Sequence, residues 1–172
     1  MKKIIFFAAI AMIAFTTNAV AQSSATTTAA TDAKVIAPIT ISKTVDMNFG
    51  NLVSTVAGGA IVLPTTGARS GDAAILLGTQ NGTVTAASFT VTGETAFTYA
   101  ITLPTGTFNV SNSDATPATM AVGTFVSSPN ATGTLTAGTE TLKVGATITL
   151  LANQASGVYT NTADLAVTVY YN

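Results

Sequence analysis

The chain has 172 residues, of which 48% are hydrophobic and only 8% are charged, and it contains no histidine, cysteine or tryptophan. Without histidine and cysteine it cannot use Ser-His-Asp or Cys-His catalysis or form the usual zinc sites. The formal net charge is −1 and becomes −3 if Lys2 and Lys3 leave with a leader. No basic stripe remains, so we expect no nucleic-acid partner.

Residues 1–21 have the layout of a signal peptide for the Sec pathway. A basic start precedes an apolar stretch, residues 4–15, which is too short to span a bilayer as a stable anchor. Ala19 and Ala21 then supply small side chains at the cleavage-defining positions, so we expect cleavage before Gln22. The alternative is an uncleaved anchor. Cleavage would leave an exported mature chain without an integral membrane segment.

Residues 22–33 form a low-complexity arm of serine, alanine and threonine. Asp32 and Lys34 fall on one face of a possible strand. Such a segment would be disordered alone and could become a strand when a sheet edge is offered. The alternative is a flexible spacer before a single domain at residues 34–172. The uncharged face, which would be the donor face of an inserted strand, comprises Ala25, Thr27, Ala29, Thr31, Ala33 and Val35.

The body of the chain reads as many short strands separated by Gly, Asn and Pro, which favours an antiparallel β-sandwich or barrel. Asn81-Gly82 predicts a hairpin, a bulge is expected near Gly123, and the last two strands are expected to form a hairpin. Leu63-Pro64-Thr65-Thr66-Gly67 matches a sortase pattern, but its place before a long domain favours a strand end and a turn. The expected strands span residues 46–53, 58–63, 73–77, 87–92, 96–103, 119–126 and 140–151.

The seven carboxylates are scattered along the chain, which argues against an enzyme. Glycoside hydrolysis needs two carboxylates facing each other across a cleft, and their spacing predicts no such pair. A polar loop with Asn109 and Asp114 lacks the dense ligand pattern of a calcium site, so it is interpreted as a solvated turn. We therefore expect no catalytic residue, no cofactor and no metal.

The chain closes on an apolar strand, residues 163–172, with a strict alternation of side chains. A terminal strand of this kind needs a neighbour on each side. We expect one neighbour to come from this chain and the other from a different chain. The face expected to line a groove consists of Ala163, Leu165, Val167, Val169 and Tyr171.

This closing strand resembles that of the chaperone–usher pilins, in which alternate apolar residues lead to a penultimate tyrosine, here Tyr171. Nearly the whole mature chain also resembles a family of bacterial secreted domains, the domain-of-unknown-function 4402 family. That resemblance lies in residues 153–162 and 142–146, in Pro38-Ile39-Thr40-Ile41 and in Asn48-Phe49-Gly50-Asn51-Leu52. It brings no established activity.

The resemblance to pilins implies an immunoglobulin-like β-sandwich that lacks its last strand. A periplasmic chaperone would first fill the gap, an outer-membrane usher would assemble the fibre, and the arm of the next subunit would replace the chaperone. Tyr170, Tyr171 and Asn172 would contact the chaperone by analogy. The implied function is a structural subunit of a surface fimbria with a role in adhesion.

Two features depart from pilins: the usual disulfide is absent, and the arm carries small side chains. Either the groove is shallow, or the inserted segment extends to Val35 and Ile36, or the arm is not a donor. The alternative function is a self-complete secreted monomer that binds a glycan or a surface partner. Its arm would be a spacer or would fold back onto its own last strand.

Overall fold

The computed structural model describes residues 24–76, 79–162 and 164–172, and within these ranges it contains ten β-strands and no helix. Every strand pairing is antiparallel. The fold is therefore all-β, as expected. The strands are β1 (Thr40–Val45), β2 (Gly59–Leu63), β3 (Ser70–Gly71), β4 (Ala87–Thr92), β5 (Thr98–Thr102), β6 (Phe108–Ser111), β7 (Thr119–Ser128), β8 (Thr132–Thr134), β9 (Thr139–Leu150) and β10 (Thr168–Tyr171).

The long strand β9 organises the larger sheet. Its alternating apolar side chains are buried throughout, which matches the predicted period of two. β7 pairs with one edge of β9, and β4 and then β2 pair with the opposite edge. Along β9 the partner strand changes from β4 to β2 at Gly145. A Cβ atom at Gly145 would lie 2.3 Å from the carbonyl oxygen of Leu63. A glycine is needed there because the backbones approach so closely.

β1 continues the larger sheet beyond β4, while β3 and β6 flank β2 and β7. The smaller sheet has the order β10-β5-β8. Buried side chains of β4 and β9 pack with Tyr99 of β5 in one apolar cluster, so the two sheets share a core in a sandwich-like arrangement. A second cluster, around β2, β7 and the end of β9, is covered partly by loops.

Tyr99 anchors the smaller sheet in this core. Its side chain is fully buried, and its hydroxyl donates a hydrogen bond of 2.9 Å to Glu140 at the start of β9. The same carboxylate oxygen accepts a 2.8 Å bond from the amide of Thr134. The ring lies over Gly133, its partner across the β5–β8 ladder, where a Cβ atom would come within 2.3 Å of the ring.

Several predicted strands agree closely with the structure. β4 has the predicted bounds, and the bulge predicted near Gly123 appears as a register shift between Gly123 and Val126. β2, β7 and β9 lie within three residues of their predicted bounds. The interpretation of the Leu63–Gly67 motif also agrees: Leu63 ends β2 and is buried, and the amide of Gly67 donates to the carbonyl of Pro64.

Other predicted elements were wrong. Residues 46–53 form only isolated bridges, Asn48 with Thr85 and Leu52 with Leu76. The described part of 73–77 contains a turn, because Asp72 accepts the amides of the residues that follow it; Leu77 lies outside the described residues.

The two predicted hairpins were also wrong. Asn81-Gly82 joins no hairpin, since the carbonyl of Asn81 accepts the amide of Asn51 instead. β9 and β10 do not form a hairpin either, because β10 pairs with β5 in the other sheet. The closing strand is shorter than the predicted 163–172, and β1, β3, β6 and β8 were not predicted.

The chain divides into two units, Met1–Val35 and Ile36–Asn172. Residues 24–35 are exposed along their whole length and form no strand. The signal-peptide prediction, with Ala19 and Ala21, lies outside the described residues.

We predict that Tyr99 makes folding sensitive to alkaline pH. Burial raises the pKa of the Tyr99 hydroxyl, and the hydrogen bond to Glu140 and its negative charge raise that pKa further. The unfolded tyrosine ionises near pH ~10, so the unfolded state holds fewer protons above that pH. The free energy of unfolding should then fall by about 1.4 kcal/mol per pH unit from this group, and its stabilisation is fully present only below pH ~10.

Tyr99→Phe should remove this contribution and cost about 1 kcal/mol at neutral pH through the lost hydrogen bond. Urea unfolding from pH 7 to pH 11 measures both effects. Tyr170→Phe, which removes an exposed hydroxyl, should retain the alkaline fall because Tyr99 is intact. An unchanged alkaline slope in Tyr99→Phe would contradict the prediction.

Candidate strand-acceptor groove

The closing strand β10 lies at the edge of the smaller sheet. Within the described ranges it pairs with β5 alone, from Thr168 opposite Thr102 to Tyr171 opposite Tyr99. No other described strand pairs with the second row of amide and carbonyl groups on β10, which is therefore an open edge among the described strands. Such an edge is a template for another strand.

The predicted alternation of the closing segment is confirmed by burial. Leu165, Val167, Val169 and Tyr171 are half-buried and pack against the core shared by the two sheets, whereas the residues between them are exposed. Ala163, the fifth predicted member of this face, lies outside the described residues. The four described members therefore form one apolar face beside an open backbone edge.

The second open edge belongs to β1. This strand pairs only with β4 among the described strands, and it contacts β10 across the sandwich. Ile39 and Ile41 are half-buried and pack on the same core as the apolar face of β10. Two open edges, one from each sheet, thus border one strip of apolar side chains, which we name the groove.

Tyr171 closes one end of the groove, which we name the clamp end. Its hydroxyl accepts a 2.6 Å hydrogen bond from the amide of Glu94 and donates a 2.8 Å bond to the carbonyl of Ala37. A carboxylate oxygen of Glu94 also accepts the amide of Ala37 at 3.2 Å. The ring of Phe97 meets that of Tyr171 edge to face, with centroids 5.6 Å apart.

The other end of the groove widens into a cavity of about 900 Å³. One wall begins at Lys43 in β1 and continues through the loop from Asp46 to Leu52. The other runs from residue 154 to Leu165, just before β10. Buried core side chains of β4, β7 and β9 form the floor of the cavity. The floor includes Phe89, Met120, Val122, Ile148 and Leu150.

Arg69 holds the first wall. Its guanidinium donates to the carbonyls of Phe49 and Asn51, the latter at 2.8 Å, and to the side chain of Asn81 at 2.8 Å. Partial burial lowers the pKa of Arg69, but an arginine remains protonated in proteins. Gly50 has a φ of +69°, and a Cβ atom there would lie 2.2 Å from the carbonyl of Asn81. The loop is therefore shaped by backbone contacts that only glycine permits.

Gln154 and the edge of β6 hold the second wall. The buried Gln154 amide accepts the amide of Leu151 at 3.1 Å and donates 2.9 Å to the hydroxyl of Tyr159. Farther along, Ser111 of β6 exchanges two backbone hydrogen bonds with Thr160, of 3.1 and 2.9 Å. Hydrogen bonds thus attach both walls to the rest of the domain, and the cavity of about 900 Å³ lies between the two walls.

The remaining predicted residues are placed as follows. Tyr170 is 54% exposed on the outer face of β10. Asn172 bonds to Thr98 through its amide and its side chain, at 3.3 and 3.1 Å. The candidate donor residues Ala25 to Val35 are exposed, with Val35 at 95%.

Sequence reasoning missed the wall formed by residues 46–52 and the hydrogen bonds of Arg69 and Tyr171. Alternation of Met47 and Phe49 was the available signal, and it was interpreted as a strand. In the part of the chain that the structure describes, no group of three acidic side chains could hold a metal ion. Nor do those residues include a helix long and apolar enough to cross a membrane.

Neither the curated proteins nor the solved structures include a match to this chain. A family model, described as a domain of unknown function (DUF4402), matches residues 39–171. The match begins just before β1 and ends at Tyr171, so it spans both edges of the groove and the whole cavity. It covers well over half of the chain, and the chain therefore belongs to the DUF4402 family of domains of unknown function.

Proposed function

We propose that this chain is a structural subunit of a bacterial surface fibre, assembled by donor-strand exchange and contributing to adhesion. The observation that carries the proposal is the groove: two open strand edges border a strip of half-buried apolar side chains that no described strand covers. In this proposal the signal peptide directs the chain through the Sec pathway, and the fibre forms at the cell surface.

The order of the strands supports an immunoglobulin-like sandwich without its last strand. In that fold strands A, B, E and D form one sheet and C, F and G the other. Here β1, β4, β9 and β7 are neighbours in that order, and β10 pairs with β5. Taken in chain order, β1, β4, β5, β7, β9 and β10 correspond to strands A to F. Strand G would pair with the open edge of β10, where the groove lies.

The occupant that we propose is the arm of a second copy. The arm has the composition of a strand with one uncharged face, and residues 24–35 form no strand in this chain. Twelve residues at ~3.3 Å each would span about 40 Å, enough to pass along β10 and reach the cavity. The small side chains of the arm would bury little surface at ~0.8 kcal/mol per methylene, so backbone hydrogen bonds would supply most of the attraction.

The large side chain of Val35, next to the arm, would add to the binding. Val35 is 95% exposed and lies on the donor face. Inserted together with the alanine and threonine side chains, it would bring one large apolar group to the groove. Before assembly, the open edge of β10 needs a temporary cover, since exposed edges promote aggregation. A periplasmic chaperone that contacts Tyr170, Tyr171 and Asn172 would provide that cover, and an outer-membrane usher would exchange it for the arm.

Deletion of residues 22–33 tests the donor role. The body should fold, because the arm forms a unit separate from Ile36–Asn172, but polymers should not form. A synthetic peptide of residues 22–37 should bind the shortened protein and raise its free energy of unfolding by about 2.7 kcal/mol at 100 times Kd. Light scattering and thermal unfolding measure both effects. Polymers formed normally by the shortened chain would refute the proposal.

Two neighbouring alanines of the arm provide a matched pair of variants. Ala29 is on the donor face and Ala30 on the opposite face. Ala29→Asp would bury an unpaired carboxylate, which costs several kcal/mol, so the peptide should bind at least about tenfold more weakly (~1.4 kcal/mol). Ala30→Asp would point into solvent and should bind within about twofold of the original peptide. Calorimetric titration compares them, and equal losses would contradict the assigned face.

A further inference from the structure

The two ends of the groove are not alike, and the chain enters the body at the clamp end. Ala37 precedes β1 and is bonded to Tyr171 at the end of β10. Lys43, after the middle of β1, and Leu165, before β10, line the cavity at the opposite end. β1 and β10 therefore run in opposite directions along the groove, and the arm joins β1 beside Tyr171.

An arm that entered its own groove would have to reverse direction between Ile36 and Ile39, so as to run back beside β1. Ala37 lies in the middle of that reversal. Its amide is bonded to Glu94 and its carbonyl to Tyr171, at 3.2 and 2.8 Å. Pro38 has no amide hydrogen, and a residue before proline favours an extended backbone. The reversal would thus have to break two hydrogen bonds and bend a segment that favours extension.

We infer that the contacts of Tyr171 and Glu94 with Ala37 prevent the arm from filling its own groove, and so direct it to a second copy of the chain. This inference rests on the proposed function, because it requires a groove that accepts the arm. Tyr171 is then a positioning residue with two roles: its ring belongs to the apolar face of the groove, while its hydroxyl fixes the root of the arm.

The phenol ring is held independently of the hydroxyl, which makes the two roles separable. Phe97 contacts the ring edge to face, and the ring packs on the shared core. Tyr171→Phe therefore keeps the packing and removes the bonds to Ala37 and Glu94. Glu94→Ala removes the acceptor for the amide of Ala37 from the other side. Thr102→Val, which deletes an exposed hydroxyl of β5, is the matched control.

Hydrogen exchange of the monomeric mature protein tests the inference. Amides of residues 24–35 should exchange without protection in the wild type and in Thr102→Val. In Tyr171→Phe the amides of residues 24–35 should exchange at least about tenfold more slowly, because the released arm pairs with its own groove. If Tyr171→Phe does not fold, Glu94→Ala should show the same slower exchange. The same variants should form polymers several-fold more slowly than the wild type.

A second measurement separates this inference from the proposed function. The body lacking residues 22–33 and carrying Tyr171→Phe is titrated with the peptide of residues 22–37. If the peptide binds while the arm of the intact variant stays unprotected, the directing role of the contacts with Ala37 is overturned, and the proposal that the groove accepts an arm remains. If the peptide binds neither this body nor the wild-type body, the proposed function fails and the inference fails with it. Protection of the arm in the wild-type monomer would also overturn the inference.

Discussion

The edge of β10 that no described strand pairs with is the constraint on which the rest of this structure depends. A strand at the end of a sheet presents a row of amides and carbonyls that must bond to water or to another strand. In β10 that row lies beside half-buried apolar side chains, which favour exclusion of water. At an exposed edge the backbone groups must bond to water, while the apolar side chains favour its exclusion. An added strand would meet both requirements. β1 presents the same conflict from the other sheet.

Contacts elsewhere in the body hold these edges in place. β9 pairs with three strands and carries buried side chains along its length, so it joins the strands of the larger sheet beneath the groove. Tyr99 and Glu140 tie the smaller sheet to the start of β9. Arg69 and Gln154 fix the two walls of the cavity by hydrogen bonds to backbone groups. None of these contacts fills the groove itself.

Much of this arrangement could be predicted from the sequence where one face of a strand is buried. The alternation in β4, β9 and the closing segment identified those strands because the side-chain period of a strand is two. Alternation failed at residues 46–53, where Met47 and Phe49 cover a cluster from a loop that Arg69 holds. The apolar run at residues 73–77 also failed to predict the structure, because backbone bonds to Asp72 favour a turn.

Long-range pairing was the part of the site that local patterns could not specify. Nothing in residues 163–172 distinguishes pairing with β9 from pairing with β5, since both present apolar faces to the core. The hydroxyl of Tyr171 bonds to residues 77 and 134 positions away, and no short pattern contains such pairs. The alternating burial of the closing segment was predictable because it follows from the order of residues in one segment; the strands beside it depend on the whole fold.

The difference between the clamp end and the cavity end of the groove has a consequence for any assembly in which one molecule inserts its arm into the groove of another. A contact that joins the arm of one molecule to the groove of the next uses two different surfaces, so it repeats head to tail and does not close on itself as a two-fold dimer does. An open filament built by this proposed contact would be polar: one tip would carry an empty groove and the other an undocked arm. Growth and capping would therefore be chemically distinct events at its two tips.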